Sequence, residues 1–321
     1  MLLRPDGVDL ARWREELSGK GVPMDLARFA ASILGQQDCS ASKPQCCVLL
    51  DCSASDSVAA TYPALMRSGL HIVTPNKKFG SGPLAPYREL REFAEHSGRS
   101  FMYEATVGAG LPVLSTLHDL LLTGDKVIRI EGILSGTLSY IFNTYKLGMR
   151  FSDVVADARA KGYTEPDPRD DLSGLDVARK VVILAREVGI PAELDSMGVQ
   201  SLVPESLRDA TAVGVDDYMA RLPQFDEEMA SRAAEAAANG EVVRYVGCVD
   251  AEAGRAEVVL KTYPAAHPFA QLSGSDNLIV FTTERYKDRP VCVRGPGAGA
   301  EVTAAGVFAD LIKVIRSHPR G

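Results

Sequence analysis

The sequence predicts an α/β protein in which a parallel sheet of βαβ units is followed by an α+β domain. Over residues 1–118, short apolar runs alternate with amphipathic helical stretches, the pattern of parallel strands joined by crossover helices. Over residues 119–293, helices are clustered and strand-rich runs return together near the end, the pattern of an antiparallel sheet decorated by helices. Residues 294–321 form a closing segment, a glycine cluster followed by one more helix.

Taken in order, Asp9 can cap a helix on which Leu10, Trp13 and Leu17 recur at helical spacing, with Gly19 near its end. A second helix follows Asp25, with Leu26, Phe29, Ala30, Ile33 and Leu34 inward. The run 47–50 is long enough for a buried strand and too short for a helix. Ser55 or Asp56 opens a helix carrying Val58, Tyr62, Leu65 and Met66, which Gly69 stops. Strands follow at 71–74 and 101–103, with a helix over 84–97 between them. A helix near 112–122 and a strand over 127–134 then precede helices near 137–146, 152–161 and 172–188. The least patterned stretch, 189–215, reads as a surface connection. Strands are expected at 242–249, 256–261, 278–283 and 291–293.

Composition narrows the function classes. A hydrophobic share of 46% and a charged share of 24% are ordinary for a water-soluble globular chain. The formal charge of −7 argues against nucleic acid or an anionic membrane as partner, because either calls for a basic surface. No apolar run approaches the roughly 20 residues that cross a bilayer, and the first residues lack a signal-peptide pattern. Cys39, Cys46, Cys47, Cys52, Cys248 and Cys292 form no CxxC and read as thiols of a reducing compartment. Five scattered histidines without an HxxxH or HExxH pair give poor support for zinc.

The densest chemical signal runs from Tyr163 to Lys180. Pro166 and Pro168 stiffen a loop bearing Glu165, Asp167, Asp170 and Asp171, and a helix follows, capped by Asp170 or Asp171. Within it Asp176 and Lys180 are four residues apart and share one face. As an isolated surface ion pair this is worth under about 1 kcal/mol; beside a rigid acidic turn it also reads as a binding and proton-transfer centre. An oxygen-rich cation site is a further reading of the same carboxylates. Lys77 lies in 73–78, at the carboxyl end of a parallel strand, where open α/β sheets bind ligands. It can hold an anionic group, move a proton, or simply be solvated. Ser53 and Ser55 occupy the same place after the preceding strand and suit either a ribose or phosphate edge or plain helix capping. Glu104, followed by Gly108 and Gly110, can hold a monovalent cation with nearby carbonyls or make a tight turn. Gly295, Gly297 and Gly299 are not a GxGxxG and carry little nucleotide signal alone.

Together these motifs resemble homoserine dehydrogenases over nearly the whole chain. VTPNKK, EATVGAGLP, GILSGTLSYIFN, GYTEPDPRDDLSGLDVARK and GPGAGAEVTAAGVFAD stand in the family's order. LPQFD and HPFAQLSGSDN look like the bifunctional aspartokinase–homoserine dehydrogenases of plants and algae. The resemblance implies an incomplete dinucleotide-binding domain over 1–118, with a truncated Rossmann-like sheet. It also implies an α+β substrate-binding and dimerisation domain over 119–293, and a segment 294–321 that returns to the first domain. It implies reduction of L-aspartate 4-semialdehyde to L-homoserine with NADP(H) or NAD(H). Glu165, Asp171 and Asp176 match the substrate ligands, Lys180 the proton donor, and Lys77 the lysine beside cofactor and substrate. Ser53, Ser55 and Gly299 match cofactor contacts, and Glu104, Val107, Ala109 and Leu111 a sodium site. A homodimer, a fused aspartokinase half and a chloroplast stroma location (cytoplasm outside plants and algae) follow from the same likeness. Family members open on a strand and GxGxxG turn; none precedes Asp51 here, so the resemblance implies a missing central strand and weak or absent NADPH binding by this chain. A silent fragment that keeps the dimerising domain is the alternative to an enzyme.

Overall fold

The computed structural model describes residues 1–4, 6–35 and 46–318. Cys39 lies outside them. The order is α1 (Trp13–Lys20), α2 (Leu26–Gly35), β1 (Val48–Leu50), α3 (Asp56–Ala59), α4 (Tyr62–Arg67), β2 (His71–Val73), α5 (Lys77–Gly80), α6 (Leu84–Ser97) and β3 (Phe101–Met102). Then come α7 (Val113–Leu122), β4 (Val127–Ile133), α8 (Gly136–Thr144), α9 (Phe151–Ala160), α10 (Pro168–Leu172), α11 (Leu175–Glu187) and β5 (Gly198–Val199). The chain ends with α12 (Val215–Arg221), α13 (Asp226–Ala238), β6 (Glu241–Asp250), β7 (Arg255–Pro264), β8 (Asp276–Thr283), β9 (Val291–Pro296) and α14 (Ala300–Ser317).

The expected α/β class is observed. β1, β2 and β3 form a parallel sheet in that order, with Val48 opposite His71 and Ile72 opposite Phe101. Tyr87 and Leu90 of α6 are buried three residues apart, and Gly98, at φ +66°, closes that helix in the left-handed conformation glycine accepts. Helix α14 returns to this half: Val307 and Val314 pack with Val73 and Ala105. Helix α1 differs from the amphipathic reading, since it buries nothing and leaves Trp13 and Leu17 exposed. Asp9 sits before it, its carboxylate accepting from the Ala11 N–H and its carbonyl from the Arg12 N–H.

The second sheet has the order β5-β7-β6-β4-β8-β9. It is antiparallel except at one edge, where β5 runs parallel to β7. The sequence reading passed over α12 and α13, whose alanine- and acid-rich faces carry few apolar residues to mark a period. Helix α11 lies across the middle of the sheet because Gly247 of β6 has no side chain: a Cβ there would stand 2.3 Å from Val181 Cγ2. Val177, Val181 and Leu184 fill this interface. Gly247→Val is therefore expected to cost about 1–3 kcal/mol through overpacking, read as a lowered urea midpoint. It also lifts the helix that carries Asp176 and Lys180.

Candidate active site

The acidic loop is held by its own polar groups. Asp167, rather than Asp170 or Asp171, caps the short helix α10, accepting from the Arg169 N–H at 3.0 Å. Pro168 takes the first helical position, where a missing N–H costs nothing. The Arg169 guanidinium pairs with Asp167 at 2.7 Å and donates to the Leu207 and Val213 carbonyls, fastening the loop to the domain body. Asp171 accepts from the Glu165 N–H at 2.8 Å, and burial pushes its carboxyl up from the ordinary range. Thr137 donates to the Tyr163 carbonyl at 2.7 Å, so the N-terminal turn of α8 holds the start of the loop. Gly174, at φ +76°, makes the sharp entry to α11; a Cβ there would overlap the Tyr245 hydroxyl.

Helix α11 then delivers the expected pair. Lys180 Nζ lies 2.6 Å from Asp176 Oδ2 and donates to the Leu134 carbonyl at 2.7 Å. Lys180 is 8% exposed, so its Nζ relies on these partners for hydrogen bonding. Asp176 also faces Lys77, whose Nζ is 3.3 Å from Oδ1. Burial alone would raise the Asp176 carboxyl, but the two lysines outweigh it and hold it well below the usual carboxylate range. Burial lowers the Lys77 ammonium, partly opposed by Asp176 and assisted by Lys180.

Lys77 reaches Asp176 from the parallel sheet. Asp51 at the end of β1 accepts from Ser53 N–H, the Tyr62 hydroxyl and Asn76 Nδ2. Burial opposes the ionised Asp51, yet these donors lower its pKa. Thr74 donates back to the Asp51 carbonyl at 2.7 Å, and Asn76 caps α5 through the Lys78 N–H. The two strand ends are thus tied into one ledge. Ser55 sits on it, capping α3 and offering its carbonyl to Asn76, while Ser53 accepts from the Ser55 N–H.

A cavity of about 600 Å³ gathers Glu165, Asp171, Asp176 and Lys180 with Thr137, Gly297 and Gly299. Four stretches remote in sequence meet there, 135–137, 162–180, 275 and 296–299. Lys77 joins through Asp176, whereas Ser53 and Ser55 lie on the ledge outside the cavity wall. The Leu134 carbonyl was invisible to sequence reading because it is a backbone atom at a strand end; Thr137 carried the faint signal of a hydroxyl inside GILSGTLSYIFN. A larger cavity of about 710 Å³, near Arg208 and Asp226, contains none of the expected residues.

Glu104 is drawn elsewhere. Its two carboxylate oxygens accept from the Leu114 and Ser115 N–H groups, capping α7, and Lys313 approaches to 3.7 Å. The Glu104 carbonyl accepts from Val107 and that of Leu111 from Val113, while Ala109 holds a positive φ of +54° in the intervening turn.

One histidine-bearing group escaped sequence spacing. Cys46, His71 and His318 each bring a ligand-type atom within 4.8 Å of the others. Both ring nitrogens of His71 are engaged, Nδ1 accepting from Ser100 N–H and Nε2 facing Arg99. Burial first, then His318 and Arg99, bring its pKa down to about 4. The unfolded chain takes this proton near pH 6.5, so stability is present above that pH and is lost as pH falls toward 4. A loss of roughly 2 kcal/mol is expected by pH 5, seen as a lower Tm than at pH 7. His71→Asn should flatten that interval.

Fold and cleft together define an α/β protein in which the ledge of the parallel sheet faces a lysine–carboxylate centre carried by α11. The chain belongs to the homoserine dehydrogenase family. The family's homoserine dehydrogenase domain matches residues 112–312, and its NAD-binding domain matches residues 3–104. A homoserine dehydrogenase of Schizosaccharomyces pombe is 49% identical over 314 residues, covering 96% of this chain and 81% of that protein. A chloroplastic bifunctional aspartokinase/homoserine dehydrogenase of Zea mays is 55% identical over 98% of this chain. The chain spans about a third of the length of that relative, 33%. A crystal structure of a protein of unknown function from Candida auris superposes with a TM-score of 0.87 at 41% identity, covering 96% of this chain and 85% of that one.

Proposed function

We propose that this chain performs the homoserine dehydrogenase reaction, the reduction of L-aspartate 4-semialdehyde to L-homoserine by NAD(P)H and its reverse. The observation that carries the reading is Lys180, buried between the Leu134 carbonyl and Asp176 at the wall of an acidic cavity. A substrate ammonium fits beside Glu165 and Asp176, which bear the charge to bind it. The hydroxyls of Ser53 and Ser55 and the side-chain-free Gly299 suit a nicotinamide cofactor, which supplies the hydride when bound. Lys180 donates the proton that converts the resulting alkoxide to an alcohol, and its charge stabilises that alkoxide as it forms. Asp176 orients Lys180 and Lys77 together. Lys77 is placed to bind the substrate carboxylate.

A monovalent cation at Glu104, Val107, Ala109 and Leu111 belongs to the same proposal, and no step is routed through it. So do a homodimer through the second domain and, in view of the maize relative's name, a fused aspartokinase half and a plastid location in a plant or alga. The test is loss of NADPH absorbance on adding aspartate semialdehyde, with homoserine and NADP+ as the reverse check. Semialdehyde-dependent oxidation is expected. A folded full-length protein that oxidises no NADPH overturns the reading and leaves a dimerising module.

A further inference from the structure

Asn277, the second residue of β8, is 0% exposed, and neither its Nδ2 nor its Oδ1 has a hydrogen-bond partner. A buried primary amide with both ends unused is costly, because water has been removed from a donor and an acceptor without replacement. Its location ties the cost to the cleft. In register, Leu278 faces Ile133 of β4, so Asn277 stands beside Leu134, whose carbonyl holds Lys180. Strand alternation sets the direction: Ile279 and Phe281 belong to the core beneath α11, while Leu278 and Val280 belong to the opposite face. Asn277 therefore points to the α11 side, where the cavity lies.

Directly over its amide runs the glycine segment. Asn277 is paired with Gly295 of β9, and a Cβ on Gly297 would stand 2.0 Å from Nδ2 and 2.2 Å from Cγ. Any side chain at 297 would displace Asn277 or the segment. Gly297 and Gly299 are also cavity wall. A peptide backbone carries one donor and one acceptor per residue, the complement of a primary amide. Here that backbone is in contact with the amide yet out of hydrogen-bonding alignment.

We propose that Asn277 is a positioning residue, a latch whose amide engages the backbone of residues 295–299 when cofactor and substrate fill the cleft and so sets Gly299 against the cofactor. The proposal rests on the dehydrogenase reading. Binding then gains the hydrogen bonds that the empty protein forgoes, which couples cleft occupancy to the closing segment. Stability and binding are predicted to respond in opposite directions. Asn277→Leu removes the orphaned amide at similar volume, so the ligand-free Tm should hold or rise. The same variant should weaken NADPH at least tenfold in a fluorescence titration with homoserine present. Asn277→Ala should weaken NADPH equally while lowering Tm through the cavity it leaves. A Leu variant with lowered Tm would give the amide an ordinary structural role and overturn the latch. Equal NADPH affinity in wild type and the Leu variant would overturn it too. A full-length wild-type protein that binds no NADPH fails the dehydrogenase reading and the latch together, an outcome distinct from either of these.

Discussion

Lys180→Ala is expected to lower turnover by about 10²–10⁴-fold, the range for loss of a positioned acid, with NADPH affinity close to that of the wild type. The lysine touches Asp176 and the Leu134 carbonyl inside the cavity, whereas Ser53 and Ser55 lie on the ledge outside its wall. Removing it takes away both the proton and the charge facing the developing alkoxide. Steady-state kinetics in the full-length protein, with NADPH titrated separately by fluorescence, check the two halves. Near-normal turnover would end the proton-donor role.

Asp176→Asn should be nearly as damaging by a different route. One carboxylate holds both lysines, at 2.6 Å and 3.3 Å, and is also proposed to bind the substrate ammonium. Its neutralisation should raise the KM for homoserine and lower kcat, for a combined loss in kcat/KM of about 10²-fold or more. A pH signature should accompany it. Burial already lowers the Lys77 ammonium, and Asp176 opposes that shift. Without the carboxylate, Lys77 loses its proton at still lower pH, so the alkaline limb of kcat/KM moves toward neutrality. An unmoved limb with intact folding would remove Lys77 from the reaction.

Local features of both fold and site were legible in the sequence. The helix expected over 84–97 occupies those residues in the structure, where Tyr87 and Leu90 are buried and Gly98 closes it. The Asp176–Lys180 contact followed from four-residue spacing on a helix. What periodicity cannot carry is contact between distant segments. That Lys77 meets Asp176, 99 positions later, depends on how α11 lies against the parallel half, and no pattern within either segment encodes it. Asp167 was passed over as a cap because Pro166 and Pro168 suggested a loop alone, whereas Pro168 also fits the first turn of a helix. The buried Asn277 gave no signal, since an asparagine at the end of GSDN reads as a turn residue.

The Leu134 carbonyl gives the proposed chemistry an unusual kind of anchor. An ammonium has three N–H bonds; in Lys180 one points to a main-chain oxygen and one to Asp176. Only one direction is then left for handing over a proton, and a main-chain oxygen is not removed by changing the residue that owns it. Side-chain drift at position 134 can alter packing while leaving this aim intact. A slip of β4 by one residue against β8 would turn the carbonyl away. The geometry of proton delivery is thus inherited from strand pairing, and disorder at the end of that pairing should scatter it before any acidic residue is touched.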